Sequence, residues 1–340
     1  MAHDPLVSII IPSRNEGTSI GPCLDSIIRS HYPPNRLEVL VVDGASDDGT
    51  RALIEQYAKR YAFIKLIDNP QKTTPVGLNI GITMAAGEYI MILSSHSKIH
   101  WNFIRQNVQH IEKTEADCVG GGIVTLPSQQ DEMGLAIALS LSNAFGVGNS
   151  SFRTGVENTK EVDTVPYGCY RKEVFHKVGL FNQHLIRNQD IEFNLRLKRQ
   201  GGKILLVPGI VSYYFARSTI KALLRQSFAN GFWVIYGAGF AHLPFSARHV
   251  VPMLWVGSLM TLFAAAFYHQ VFIGIALLML TLYLAVNTAV SVHLAWSRGI
   301  KTCLCLIAAF GSLHFGYGAG SLWGLVKLGR LKVNSKQCRA

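Results

Sequence analysis

Three short polar segments of this sequence carry side chains that can bind ions or accept hydrogen bonds. They are Ser13–Glu16, Asp43–Asp48 and Ser94–His96, and each directly follows an apolar run. Carboxylate, hydroxyl and imidazole groups in such segments can bind a polar ligand or coordinate a cation. A fourth candidate is Asp190, which could act as a general base if it lies within hydrogen-bond reach of a substrate hydroxyl.

The acidic residues among these candidates also have ordinary structural explanations. Asp190 could cap a helix over 191–200, and Glu192 could be a first-turn acid that the helix dipole favours. Asp43 could be a turn residue, because Asp-Gly is a common turn pair. Spacing alone leaves these alternatives open and, for Asp190, favours the cap.

The polar segments need a scaffold that brings them together. Buried strands are predicted from the apolar runs over 6–12, 37–43, 63–67 and 88–93. Helices are predicted over 18–30, 50–61 and 74–85. Such alternation indicates a doubly covered, mainly parallel α/β sheet, with helices on both faces. Ligands of these sheets bind beyond the carboxyl ends of the strands, so the polar segments predict a nucleotide site at one edge.

The second half of the chain has the composition of a membrane segment. The whole chain is 49% apolar and 16% charged. All 21 Asp and Glu residues lie in 1–192, whereas 193–340 carries 15 of the 32 Lys and Arg residues. A basic and apolar half favours a membrane with an anionic inner leaflet over a nucleic acid.

Three uncharged runs in this half are long enough to cross a bilayer, which takes about 20 helical residues. The runs 249–268 and 271–293 are expected to form a hairpin through the membrane. The third run, 302–326, is either a full span or a re-entrant segment, because a span would place the basic residues after it on the outer side. Small residues at 316, 320 and 324 favour close helix contact.

These patterns predict four parts with different environments. The basic, amphipathic stretch that includes Arg225, Gln226 and Trp233 is expected to lie at the headgroup level of the membrane. The parts are a cytoplasmic domain over 1–230, an interfacial connector over 231–248, a transmembrane region over 249–326 and a basic tail over 327–340. We therefore expect a multi-pass protein of the cell (inner) membrane.

Several motifs, in this order, resemble those of glycosyltransferase family 2. Val7–Glu16 (VSIIIPSRNE) looks like the opening strand of that family, and Asp43–Thr50 (DGASDDGT) resembles its second-strand motif. Gly77–Gly81 (GLNIG) matches a segment that leads to the family's metal motif, and Asn188–Glu192 (NQDIE) resembles the segment that holds the catalytic base. Together with His-x-x-Tyr-Gly-x-Gly at 314–320, these segments are most similar to the subgroup that extends lipid-linked exopolysaccharides such as succinoglycan.

The resemblance implies a GT-A fold and an inverting transfer. The donor would be a nucleotide-diphosphate sugar such as a UDP-sugar, and the acceptor a polyprenyl-diphosphate-linked glycan at the lipid bilayer. Asp190 is implied as the catalytic base. Donor contacts are expected from Pro12, Arg14, Glu16, Asp43, Lys72, Asn79 and Ser95. Acceptor or interface contacts are expected from Glu192, Arg225, Gln226 and Trp233.

The segment Ser94–His96 departs from the family pattern, which is Asp-x-Asp or Asp-x-His and holds Mg²⁺ or Mn²⁺ on the diphosphate. His96 could still ligate Mn²⁺, whereas Mg²⁺ prefers oxygen ligands. Three alternatives stay open: a weaker metal site through His96, a metal-independent transfer, or an impaired relative that acts as a scaffold in a polysaccharide assembly complex.

Overall fold

The computed structural model describes residues 4–241 and 247–337 of the chain. Residues 242–246 of the predicted connector and 338–340 of the predicted tail lie outside the described residues. The chain forms two compact units, one from Met1–Val124 and Ser151–Tyr214, the other from Thr125–Ser150 and Phe215–Ala340. The units therefore divide at Tyr214 rather than at residue 230, and the second unit also takes in a segment from the middle of the chain.

The elements alternate along the first half of the chain and become helical in the second half. The strands are β1 Val7–Ser13, β2 Leu37–Asp43, β3 Ile64–Asp68, β4 Tyr89–Ile92, β5 Ser97–Ile99, β6 Cys118–Leu126, β7 Lys160–Glu161, β8 Cys169–Arg171 and β9 Ile204–Phe215. The helices are α1 Ile20–Ile28, α2 Thr50–Arg60, α3 Thr74–Met84, α4 Phe103–Thr114, α5 Glu132–Leu141, α6 Ala144–Val147, α7 Ser151–Thr154, α8 Glu173–Val178, α9 Gln189–Arg199, α10 Ile220–Tyr236, α11 Ala247–Ala265, α12 Val271–Ala295 and α13 Ile300–Gln337. Short 3-10 helices occur at Pro34–Arg36 and Gly237–Gly239.

The strands join into one sheet with a parallel half and an antiparallel half. Its order is β3-β2-β1-β4-β8-β6-β9-β5, and β7 pairs with β9. The four strands β3, β2, β1 and β4 are parallel, and they are the strands that the apolar runs predict. Strand β8 pairs antiparallel with both β4 and β6. The antiparallel half uses short strands such as Cys169–Arg171, which carry no periodic signal of their own in the sequence.

Both faces of the sheet are covered, as the continuous apolar runs predict. Successive side chains of a strand point to opposite faces, so Ile9 and Ile10 of β1 enter different cores. Ile9 lies in a core with residues of α1, α2 and α4. Ile10 lies in a second core with residues of α3, α8 and α9. This two-sided burial fixes the sheet register and therefore the position of the loops at its carboxyl edge.

The second unit is built around α13, a continuous helix of 38 residues. No break of the kind that a re-entrant segment requires occurs in its described part, 300–337. The predicted small-residue face is the surface that meets α10, because a Cβ on Gly320 would lie 2.0 Å from the Phe228 carbonyl oxygen. A Cβ on Gly324 would lie 2.7 Å from the carbonyl oxygen of Phe232, one turn further along both helices. The two helices therefore run side by side in the same direction.

Two helices, Val271–Ala295 and Ile300–Arg330, are long and apolar enough to cross a membrane by length and composition. Many apolar side chains of α12 are exposed within the unit, for example Leu278 and Leu282, each 60% accessible. The predicted first span, 249–268, is shorter than expected, because α11 ends at Ala265. The headgroup-level position of α10 stays a prediction; the structure shows that α10 lies alongside α13.

Candidate active site

The carboxyl ends of β1 and β2 lie side by side, as the parallel sheet requires. Ser13 is in register with Asp43, the last residue of β2. The two loops that follow are joined by hydrogen bonds: the Asn15 N–H donates to Ser46 Oγ at 2.9 Å, and the Asp47 N–H donates to Asn15 Oδ1 at 3.1 Å. The first two polar segments of the sequence therefore form one connected surface.

Two residues of these loops have left-handed backbones without being glycine. Asn15 has φ 56° and Ala45 has φ 53°. Asn adopts this region at little cost, whereas Ala does so only when the surrounding structure holds it there. Such backbones cluster at ligand-binding sites, which agrees with the site that the sequence predicts at this edge.

The Asp43 side chain is more buried than we expect for a residue that contacts a ligand. Its side chain has no exposed surface, and its carboxylate accepts hydrogen bonds from the N–H and the hydroxyl of Ser46. Arg51, in the first turn of α2, lies 3.7 Å from the same carboxylate. A bound nucleotide would reach Asp43 only if Ser46 or Arg51 moved aside.

Glu16 and His96 meet across the ends of the adjacent strands β1 and β4. His96 Nε2 lies 2.8 Å from Glu16 Oε1, and its Nδ1 lies 3.2 Å from Ser19 Oγ. Both side chains are partly exposed, at 18% for Glu16 and 29% for His96. The Glu16 side chain is thus engaged by His96. The Glu16 backbone N–H donates to Thr50 Oγ1 at 2.7 Å and so contacts the segment that follows Asp43.

The residues around His96 fit a divalent cation only if a ligand completes its coordination. Within 4–241 and 247–337, no group of three or more His, Cys, Asp and Glu residues could hold a metal ion. Ser94 supplies a neutral hydroxyl, and this hydroxyl accepts a hydrogen bond from the His96 N–H at 3.3 Å. Cations that act on phosphates often take only one or two protein ligands besides the phosphate oxygens. Glu16 and His96 fit such a shared site.

Asp190 lies in the first turn of α9, two residues after Asn188, which occupies the N-cap with φ 61°. The alternative that Asp190 only caps this helix is therefore excluded, because Asn188 occupies the cap position. Asp190 reaches the protein surface, and desolvation by the surrounding protein raises the pKa of the Asp190 carboxyl above its usual value. A raised pKa brings a carboxylate closer to the range in which it can accept a proton from a hydroxyl.

Glu192 is placed very differently from Asp190, although both belong to the same turn. Its side chain is only 7% exposed, and Arg196 donates hydrogen bonds to both carboxylate oxygens at 2.7 and 3.0 Å. Arg196 also donates to the carbonyls of Val178 and Leu180. The contact with an acceptor predicted for Glu192 does not agree with this geometry, because its charge is fully engaged inside the protein.

The other predicted donor contacts divide into exposed and buried positions. Arg14 and Lys72 are exposed loop residues, and Pro12 is partly exposed. Ser95 is buried. Asn79 is buried too, and its amide exchanges two hydrogen bonds of 2.9 Å with the backbone of Phe181. Asn79 therefore connects α3 to the segment before α9 instead of reaching a ligand.

The predicted interface residues belong to the second unit. Arg225 is exposed on α10, whereas Gln226 and Trp233 are partly buried. Trp233 packs edge-to-face against Phe232 and Tyr236, with ring centroids 5.7 and 5.6 Å apart. These contacts indicate that Trp233 is part of the packing of this helix.

Sequence reasoning missed three residues that shape the site. Arg51 reaches Asp43 and also donates to Asp68 at 2.6 Å, Ser46 holds the Asp43 carboxylate, and Ser19 faces the His96 ring. The signal for Arg51 was its place in the first turn of the helix that follows the Asp43 segment. Ser19 carried no such signal, because only the folded chain brings it near His96.

Comparison with known proteins assigns this sheet, with its polar carboxyl edge, to the sugar-transferring enzymes of the GT-A class. Residues 8–179 match the family described as Glycosyl transferase family 2. The chain belongs to this family and is a glycosyltransferase. The family resemblance of the motifs is thus confirmed.

Two curated relatives cover about two thirds of the chain. One, from Methanococcus voltae, is a dolichyl N-acetyl-alpha-D-glucosaminyl phosphate 3-beta-D-2,3-diacetamido-2,3-dideoxy-beta-D-glucuronosyltransferase. It is 34% identical over 232 residues, which are 66% of this chain and 71% of the relative. The other is the succinoglycan biosynthesis protein ExoA of Rhizobium meliloti, 25% identical over 68% of this chain and 71% of the relative.

Solved structures confirm the fold. The mannosyltransferase PcManGT of Pyrobaculum calidifontis, solved in complex with GDP-Man and Mn²⁺, superposes with a TM-score of 0.56. The match covers 96% of this chain and 88% of that one, at 19% identity. At this identity the likeness concerns the fold, and it confirms the predicted GT-A architecture.

Proposed function

We propose that the protein is a membrane-bound inverting glycosyltransferase that moves a sugar from a nucleotide-diphosphate sugar to a lipid-linked, phosphate-bearing glycan. Asp190 is the base that takes the proton of the acceptor hydroxyl. The hydroxyl oxygen attacks the anomeric carbon, the bond to the diphosphate breaks, and the nucleoside diphosphate leaves with the electron pair. The configuration at the anomeric carbon inverts because attack and departure occur on opposite faces.

The contrast between Asp190 and Glu192 is the observation that carries this proposal. The two carboxylates lie two residues apart in the first turn of α9, but only one is neutralised by Arg196. Asp190 stays exposed with a raised pKa, and these are the properties of an acceptor for a proton at a substrate. Glu192 and Arg196 support α9 from inside the protein.

The joined loops after β1 and β2 are proposed to hold the nucleotide. The backbone N–H groups of Asn15 and Asp47 donate to the side chains of Ser46 and Asn15, and these hydrogen bonds order this edge before a ligand arrives. Arg14 and Lys72 are exposed residues of the loops that follow β1 and β3, and they supply positive charge for phosphate oxygens. A loop backbone that is already ordered favours binding, because less conformational entropy is lost when the ligand arrives.

A divalent cation at His96 would neutralise charge on the departing diphosphate. His96 is the side chain that would hold it, together with phosphate oxygens of the donor. The neutral Ser94 removes one negative charge from the usual motif, so we propose Mn²⁺ over Mg²⁺, which prefers oxygen ligands. The presence of Mn²⁺ with a nucleotide sugar in the mannosyltransferase structure supports this proposal.

The acceptor is proposed from the relatives and the helical unit together. The relative from Methanococcus voltae is named for a dolichyl phosphate-linked sugar acceptor. The long apolar helices α12 and α13 suit an enzyme that works at the membrane where such lipids reside. A catalytic unit on the cytoplasmic side and a basic stretch beside the bilayer complete this arrangement.

The decisive experiment is transfer by the purified full-length protein with radiolabelled UDP-sugars and a short polyprenyl phosphate-linked sugar. Asp190→Asn should lower the rate by about 10²–10⁴-fold, because the amide cannot accept the proton. UDP binding should stay nearly intact in this variant. Asp163→Asn, an exposed acid of the same unit, is the matched control and should transfer like the wild type. An Asp190→Asn protein with more than half the wild-type rate would contradict the assignment of the base.

The membrane arrangement is tested by labelling introduced cysteines in intact cells or oriented vesicles. A cysteine at Gln270, between α11 and α12, should react with an impermeant reagent only from the side opposite the catalytic unit. A cysteine at Gly299, between α12 and α13, should react from the catalytic side. Labelling of both positions from the same side would contradict the proposed hairpin.

A second function is favoured by one observation, the serine at position 94. Without a carboxylate there, the chain could serve as a scaffold that keeps the fold and lacks the chemistry. Donor hydrolysis or transfer by the wild-type protein would exclude the scaffold function. A wild-type protein that binds UDP but neither hydrolyses nor transfers any donor would support it.

A further inference from the structure

We propose that Glu16 is a metal ligand of this enzyme and supplies the carboxylate that position 94 lacks. The inference rests on the proposed function, because it needs a nucleoside diphosphate to complete the site. It concerns a different segment from the usual metal motif, since Glu16 follows β1 and the motif follows β4. The cation would lie between Glu16 Oε1 and His96 Nε2.

The separation of the two donor atoms suits a shared cation. Neighbouring ligands of an octahedral ion with bonds of about 2.1 Å lie about 3 Å apart. Glu16 Oε1 and His96 Nε2 are 2.8 Å apart, so they already have about this separation, and the imidazole and the carboxylate would turn so that both point to the ion. Both side chains are partly exposed, which leaves a path for the ion and for phosphate oxygens.

The Glu16 carboxylate is presented from a backbone that is fixed on both sides. The Glu16 N–H donates to Thr50 Oγ1 at 2.7 Å, and the Glu16 carbonyl accepts from the N–H groups of Ser19 and Ile20, both at 2.9 Å. The next residue, Gly17, donates its N–H to Asp48 Oδ2 at 3.1 Å. Because the backbone is fixed, only the side-chain rotations of Glu16 have to be ordered when a metal binds.

The second ring nitrogen of His96 has a partner that suits metal binding. Ser19 Oγ lies 3.2 Å from His96 Nδ1. A hydroxyl can donate or accept a hydrogen bond. It can donate to Nδ1 when the ring proton is on Nε2 and faces Glu16. It can accept from Nδ1–H when Nε2 binds a metal. Metal-bound histidines usually donate their other ring N–H to such a partner.

The competing explanation is that Glu16 and His96 form only a structural hydrogen bond between two loops. The two explanations differ in what happens when a carboxylate is returned to position 94. Ser94 Oγ lies 3.3 Å from the His96 backbone nitrogen, so Asp at this position would stand on the same turn as His96. If Glu16 is a ligand, Glu16→Gln weakens metal binding and Ser94→Asp then restores it. If the bond is only structural, Glu16→Gln leaves metal binding unchanged, so Ser94→Asp has no loss to restore.

The test measures Mn²⁺ binding directly, by the loss of the free-ion electron paramagnetic resonance signal, on the full-length protein in detergent with and without UDP. The wild type should bind one Mn²⁺ more tightly when UDP is present. Glu16→Gln should weaken this binding at least tenfold, and Glu16→Gln with Ser94→Asp should return it to within a few fold of the wild type. Glu161→Gln, which removes an exposed carboxylate paired with Lys198 at 2.7 Å, is the matched control and should bind Mn²⁺ like the wild type.

Three results would overturn the inference: a wild type that binds no Mn²⁺ with UDP, a Glu16→Gln protein within twofold of the wild-type affinity, or a double variant without recovery. If Glu16→Gln does not fold, Glu16→Asp is measured instead: it keeps the charge but withdraws the carboxylate by one methylene group, so Mn²⁺ binding should again weaken, and an affinity within twofold of the wild type would count against Glu16 as a ligand. UDP binding in the presence of a chelator and sugar transfer are measured separately. A wild type that binds Mn²⁺ but transfers no sugar would contradict the proposed function and leave the metal site standing.

Discussion

Arg196 binds both carboxylate oxygens of Glu192 from one turn further along α9, with N–O distances of 2.7 and 3.0 Å. The pair is largely enclosed, since the Glu192 side chain is 7% exposed and that of Arg196 is 28% exposed. Asp190 lies two residues before Glu192 and has no such partner among the ion pairs of the described residues. One turn of helix thus holds one carboxylate that is neutralised by an arginine and one that has no charged partner among these ion pairs.

Loss of the Arg196 side chain should destabilise the first unit. Arg196→Met leaves Glu192 buried without its partner, and removing one member of a buried pair costs about 3 kcal/mol or more. The apparent Tm should fall by more than about 5 °C in a thermal unfolding scan. Lys198→Met is the control, because its partner Glu161 is 52% exposed and an exposed pair contributes less than about 1 kcal/mol. Equal Tm values for the two variants would contradict the role of the pair.

The pH dependence of transfer should show an acid limb that belongs to Asp190. A base must be deprotonated to work, so activity is lost as the pH falls through its pKa. Desolvation raises the pKa of Asp190, and the limb should therefore lie above the value of about 3.9 for an ordinary Asp. The measurement is kcat/KM as a function of pH. Residual activity of Asp190→Asn should lack this limb, and a profile identical to that of the wild type would exclude Asp190 as its source.

The same desolvation predicts that Asp190→Asn raises the stability at neutral pH. A carboxyl group with a pKa above its unfolded-state value binds protons more tightly in the folded protein, so its ionised form destabilises the fold. This cost is fully present above the folded-state pKa and vanishes as the pH falls below the unfolded-state value. The Tm of Asp190→Asn should exceed that of the wild type at neutral pH, and the difference should disappear in acid. Asp163→Asn should show no such trend.

Asp43 is expected to matter for both the fold and the nucleotide. Asp43→Ala leaves Ser46 without the carboxylate that it contacts, at a cost of about 1–3 kcal/mol. Asp43→Asn keeps the shape and should fold, but it should weaken UDP binding about tenfold or more, because a hydrogen bond to a charged group is lost. Asp68→Asn is the matched control, since Asp68 also pairs with Arg51 but its side chain is 75% exposed. Calorimetric titration with equal UDP affinities for the two Asn variants would exclude the donor role.

The contact between α10 and α13 should tolerate no side chain at Gly320. A Cβ there would lie 2.0 Å from the Phe228 carbonyl oxygen, so Gly320→Ala must separate two backbones. The Tm should fall clearly, because backbone atoms cannot turn away as a side chain can. Gly311→Ala in the same helix meets nothing within 4 Å and should be neutral or stabilise by about 0.5–1 kcal/mol. A stable Gly320→Ala variant would contradict the close approach.

The sequence by itself determined the parallel half of the sheet and its helices. Continuous apolar runs such as 6–12 and 37–43 can only be buried on both faces, and the structure places β1 and β2 within one residue of them. The sequence also predicts the small-residue face of α13, because a spacing of four residues aligns Gly316, Gly320 and Gly324 on one side of a helix. Local pattern and period were sufficient in these cases.

Only the tertiary structure decided which polar side chains are available at the site. Asp190 and Glu192 look alike in sequence, and their difference depends on Arg196 and on the surrounding protein. The sequence placed Asn79 among the donor contacts, but Phe181, 102 residues away, engages its amide. The approach of Glu16 to His96 likewise depends on the neighbouring positions of β1 and β4 in the sheet. These properties arise from contacts between residues distant in sequence, and periodicity within a single segment carries no information about them.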